Sequence, residues 1–196
     1  MTATGLLCTA GWAAYLSAAA TITTFVTGIL FFSAGQPWGT INDAASVFQV
    51  LFMLPVVLAL HRLFLLGPSA PALSLLAAVI GTVGVLVAAA LQALLVFGKV
   101  KFEQTIGVVL TAGGGIGIWL VLTGYLALAG GALPGGLAWL GLVAGGGYIL
   151  LVVGFWLGRQ RNPLFMAGSL VAVIGYSMWA IWLGRVFLSG TLTACG

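Results

Sequence analysis

The chain predicts an all-α fold, a polytopic membrane protein of six transmembrane helices. Three observations predict it. Only six basic and two acidic side chains occur in 196 residues; the mean hydropathy, +1.26, is far above that of a soluble domain; and nearly all the charges fall in short segments that separate six long apolar stretches. A hydrocarbon core of about 30 Å takes about 20 residues of helix, a length each stretch reaches. The roughly 10-residue alternating segments of a membrane β-barrel do not occur.

The first stretch, residues 6–32, has no basic segment before it, exceeds the apolar region of a signal peptide and lacks a cleavage pattern followed by a polar mature domain. It predicts a retained first span. The second, 44–66, follows the most polar segment of the chain, 35–43. There Pro37 and Gly39 punctuate a turn, Thr40, Asn42 or Asp43 offers an N-cap, Asp43 suits the positive helix end, and Trp38 belongs at the membrane interface.

The third stretch runs 72–98 and the fourth 106–128, the latter with glycines at 113–115 and 117. The fifth, 136–157, carries glycines at 145–147. Gly113 with Gly117, and Gly141 with Gly145, have the four-residue spacing of faces on which helices approach closely; the alternative is unwinding around a ligand, with 145–147 as a hinge or site. In the sixth stretch, 164–188, Tyr176, Trp179 and Trp182 precede Arg185 at three-residue spacing, which reads as an interfacial anchor with a snorkelling cation. The connections are short, so residues 1–196 form a single transmembrane domain with no soluble domain.

Sliding the first half of the chain along the second gives three collinear matches. Residues 26–30 (VTGIL) resemble 122–126 (LTGYL), and 76–81 (LAAVIG) resemble 170–175 (LVAVIG). Between them Pro37, Gly39, Leu54, Val56, Leu60 and Arg62 fall on Pro134, Gly136, Leu151, Val153, Leu157 and Arg159. Halves 1–98 and 99–196 would each hold three helices, and an odd number of spans inserts the second copy upside down, an inverted-topology repeat.

If the termini mark side one, side two holds Lys99, Lys101, Arg159 and Arg161, against Arg62 and Arg185 on side one. That excess favours side two as cytoplasmic. Six basic residues scattered over several loops form no patch, which argues against nucleic acid as a partner. Six spans bring Cys8 and Cys195 to the same side, where a disulfide is geometrically allowed beside the alternative of two separate thiols.

Side two also gathers most of the polar capacity. Gln36, Asn42 and Asp43 share it with Lys99, Lys101, Glu103, Gln104, Arg159, Arg161 and Asn162, a set able to form a cup for a small polar ligand or a lipid head group. Gln49 and Gln92 are the polar side chains placed deepest in the spans, and either lines a site or bridges helices, where an amide hydrogen bond contributes about 1 kcal/mol. The ligand-binding candidates are therefore Gln36, Trp38, Asn42, Asp43, Gln49, Gln92, Lys99, Glu103 and Arg159. His61 is the only histidine, which excludes bis-histidine haem ligation within one chain, and no metal or cofactor is expected. No phosphate-cradling loop, metal motif or CxxC pair is present, so the sequence leans away from an enzyme.

Segments 35–44 (GQPWGTINDA), 58–63 (LALHRL), 133–158 (LPGGLAWLGLVAGGGYILLVVGFWLG) and 176–185 (YSMWAIWLGR) resemble those of a family of small six-helix bacterial membrane proteins defined only as a domain of unknown function. The resemblance implies six spans in a bacterial cytoplasmic membrane and carries no activity or site residue.

Three function classes follow. A transporter or small-ligand binder predicts a cavity reaching the midplane, lined by Gln49, Gln92 and glycines 145–147. A structural or accessory subunit, associating with its own copies or with partner helices in the bilayer, predicts a solid, dry bundle. A lipid-modifying enzyme comes third and requires Asp43 and Glu103 to approach each other.

Overall fold

Hydrocarbon offers no water to backbone amides, so each apolar stretch satisfies its own and becomes a helix. The computed structural model describes residues 3–67 and 70–189. Six helices are present among them: α1 (Ala3–Ala34), α2 (Trp38–Leu65), α3 (Pro71–Val96), α4 (Phe102–Gly130), α5 (Gly135–Gly158) and α6 (Pro163–Leu188). All six are long and apolar enough to cross a membrane, making this an integral, multi-pass membrane protein of all-α class.

Short connections force each helix to run against its predecessor, and consecutive helices pack side by side. The ring closes where α6 returns to α1, while α2 also touches α4 across the middle. Local chemistry sets the ends. Gly35 takes φ +74°, a left-handed turn that glycine adopts without a Cβ penalty, immediately after α1. Pro71 and Pro163 open α3 and α6, where a missing amide proton costs nothing, and Asn162 Oδ1 accepts the Leu164 amide at 2.9 Å.

The second helix starts earlier than hydropathy suggests. The turn is confined to 35–37, so Thr40, Asn42 and Asp43 lie inside α2 instead of capping it. Gln36 does the capping, its Oε1 accepting from the Thr40 amide at 3.3 Å and from the Thr40 hydroxyl at 3.2 Å.

The interior is filled by aromatic rings set against glycines. Trp119 and Trp179 meet edge to face at 5.8 Å, Tyr176 follows Trp179 at 5.9 Å, and Tyr148 meets Tyr176 at 6.3 Å. Gly81 makes room for Trp119: a Cβ there would lie 2.7 Å from the indole Cγ. The glycine runs bring helices into backbone contact. A Cβ on Gly145 would stand 2.6 Å from the Gly117 carbonyl oxygen, and one on Gly147 would stand 2.5 Å from the Ala172 nitrogen. α5 stays helical throughout, so 145–147 is where it meets α4 and α6, with no unwinding.

One sequence expectation is corrected here. Tyr176 and Trp179 are 0 % and 1 % exposed, deep in the bundle, and only Trp182 of that trio faces outward. The three-residue spacing was read as one outer face, but their helix packs on two sides, against α5 and α1. Cys8 lies in α1, while Cys195 falls outside the described residues, as does any pairing between them.

Candidate functional site

Near the middle of the bundle, four helices contribute to one polar cluster. Ser17 of α1 donates its hydroxyl to the backbone oxygen of Gln49 on α2 at 2.8 Å, and the Tyr176 hydroxyl of α6 lies 2.7 Å from the Ser17 oxygen. With the Ser17 proton committed to Gln49, Tyr176 is the donor to Ser17. The Gln49 side chain reaches across the ring and donates through Nε2 to the Tyr148 hydroxyl of α5 at 3.3 Å. α2 and α5 do not otherwise pack together, so this bond is a spoke across the interior.

From this cluster a polar seam descends between α1 and α2 toward side two. The Thr21 hydroxyl returns to the Ser17 carbonyl at 2.8 Å, and Ser46 lies 3.5 Å from the Thr24 hydroxyl. Asn42 clasps α1, donating through Nδ2 to the Thr24 carbonyl oxygen at 2.6 Å. These groups satisfy one another, as polar side chains between membrane helices must where water is missing.

The remaining candidates are distributed differently. Gln92 has a buried Oε1 with no hydrogen-bond partner, a condition shared by the buried Ser177 hydroxyl. Lys99, Glu103 and Arg159 are exposed, with the Arg159 guanidinium 5.1 Å above the Phe155 ring. Trp38 and Asp43 are half-buried, and Gln36 is occupied in capping α2. Gln49 and Asn42 thus join the seam, and no described contact brings the other candidates into it.

Two concavities lie elsewhere, toward side one. The first, about 490 Å³, is bounded by the 131–134 turn between α4 and α5 and by Trp182, Arg185, Val186 and Ser189 of α6. The second is a narrow crevice beside His61, Ser74, Trp119 and Thr123, without room for a water molecule. His61 Nδ1 and the Ser74 oxygen stand 2.9 Å apart in it, linking α2 to α3. No group of three or more potential metal ligands occurs among the described residues.

Sequence reasoning missed Ser17, Tyr148 and Tyr176, and no local pattern marks them, because a serine and a tyrosine 159 residues apart become partners only when the ring closes. Compared with family models, with curated proteins and with solved structures, the chain matches none of them.

Proposed function

We propose that the chain is a structural or accessory membrane subunit, a closed six-helix ring that acts through its lipid-facing surface and conducts nothing through its centre. One observation carries this reading: the interior, where a transporter would hold its substrate, is occupied by Trp119, Trp179, Tyr176 and backbone-to-backbone glycine contacts. Gln49, placed to line a passage, instead ties α2 to α5. A buried polar network whose members satisfy one another rigidifies a core.

The surface on which such a subunit works is apolar on every helix, as the exposed Trp12, Phe48, Val79, Ile118, Trp139 and Ile174 illustrate. Its setting would be the bacterial cytoplasmic membrane that the resemblance implies, with side two toward the cytoplasm. The inverted repeat belongs to the same proposal. In its support, the matched glycines Gly28 and Gly124 occupy corresponding interfaces, the first facing Asn42 of α2 and the second facing Ala138 and Leu142 of α5.

The test has two arms. Purified protein reconstituted into liposomes should leave the leak of protons and small dyes at the level of empty vesicles; a protein-dependent flux would overturn the proposal. Photo-crosslinking residues placed in cells at Val79 on α3 and at Trp139 and Ile174 on the adjacent α5 and α6 should give adducts of discrete mass from one side of the ring and not the other, with the buried Val57 silent. Adducts to lipid alone from every face would remove the partner-binding role.

A further inference from the structure

The depression on side one has features that a closed structural ring does not require. Arg185 stands exposed on its α6 wall, and among the described residues it has no side-chain partner and no carboxylate lines the depression. Trp182, one turn earlier, forms the neighbouring part of that wall, its indole lying close against α5 where Gly136 has no Cβ, since one there would stand only 2.9 Å from the ring. On the opposite wall Pro134 opens α5 without any side-chain cap. Leu137 and Ala138 both turn back to the Pro134 carbonyl, which fixes the start of α5 beside the depression.

These features share one ligand chemistry. A guanidinium presents parallel N–H donors matched to a phosphate, and an interfacial indole covers the apolar part of a glycerol ester. About 490 Å³ is room for a phosphate with its neighbouring atoms, far beyond a single ion. We propose that this depression binds a phospholipid head group, with Arg185 taking the phosphate and Trp182 packing on the glycerol region. The lipid then sits in the groove between the α4–α5 turn and the end of α6, and its acyl chains run down the outer surface.

The same phosphate chemistry exists in free inorganic phosphate, and the experiment separates the two. Protein purified in mild detergent is titrated with phosphatidylglycerol, and bound lipid is counted by native mass spectrometry against Arg185→Ala, Arg185→Lys, Trp182→Ala and, as a control on side two, Arg159→Ala. We expect one tightly retained lipid, about tenfold weaker in Arg185→Ala and intermediate in Arg185→Lys, with Arg159→Ala unchanged. Thermal melts of each variant separate loss of binding from loss of fold, and Arg185→Lys keeps the charge should Arg185→Ala unfold. Retention by Arg185→Ala at the wild-type level overturns the proposal. Displacement of the lipid by an equal concentration of inorganic phosphate also overturns it, because the depression would then be a free-anion site.

Discussion

Replacing Gly147 by alanine should destabilise the bundle, whereas the same change at its neighbour Gly146 should not. The added methyl at 147 would lie 2.5 Å from the Ala172 nitrogen and 2.9 Å from the Val171 carbonyl carbon. Both are backbone atoms of α6, so no side chain can rotate away. Ordinary contact begins at 3.4 Å, and α5 and α6 must separate by close to 1 Å along a seam where a Cβ on Gly168 would likewise stand only 2.9 Å from the Gly147 carbonyl oxygen. Overpacking of this kind costs about 1–3 kcal/mol, and the better helix propensity of alanine returns at most about 1. At Gly146 nothing lies within 4 Å of the new methyl, so only the propensity gain remains. Adjacent substitutions of identical chemistry should therefore differ by about 2 kcal/mol in unfolding free energy, measured by reversible unfolding in mixed detergent micelles. Equal stability of the two variants would refute the packing account and restore 145–147 as a hinge.

Other substitutions test the polar groups. Tyr176→Phe removes the donor to Ser17 and should cost about 1 kcal/mol, checked by the same unfolding measurement, and Ser17→Ala should cost more because it also removes the bond to the Gln49 carbonyl oxygen. Asn42→Leu breaks the clasp on Thr24 and should loosen α1 from α2 by about 0.6–1.7 kcal/mol, read as faster proteolysis in the 35–37 turn. Gln92→Leu removes a buried acceptor that has no partner, so the melting temperature should hold or rise, in contrast to Gln49→Leu, which leaves the Tyr148 hydroxyl without its donor and should lower it.

The spans were legible because hydropathy measures what the bilayer selects, and each of the six apolar stretches matches a helix to within a few residues except at the start of α2. That start was missed because Thr40, Asn42 and Asp43 are polar, yet Asn42 can lie inside the helix since α1 supplies the Thr24 carbonyl. Inward and outward faces were not legible for a different reason. In a soluble helix the polar face marks the outside, but here both faces are apolar, so nothing distinguished buried Trp179 from exposed Trp182. The glycines at 117 and 145 were the better guide, since their four-residue spacing points to close packing, and they do meet each other. Of the nine ligand-binding candidates, Gln49 and Asn42 enter the polar seam, Gln36 caps α2 and Gln92 keeps a buried oxygen, while Trp38, Asp43, Lys99, Glu103 and Arg159 lie half-buried or exposed, placements that spacing does not encode.

The Gln49–Tyr148 spoke and the Ser17–Tyr176 pair also set an order of events during synthesis. A membrane protein is delivered to the bilayer from its N-terminus, so α1 and α2 enter it while α5 and α6 are still unmade. Until residue 148 has been inserted the Gln49 amide has no distant acceptor, and until residue 176 follows the Ser17 hydroxyl has no tyrosine. The first half of the chain therefore waits in the membrane with the seam between α1 and α2 already paired but with the Gln49 side chain still without its partner on α5.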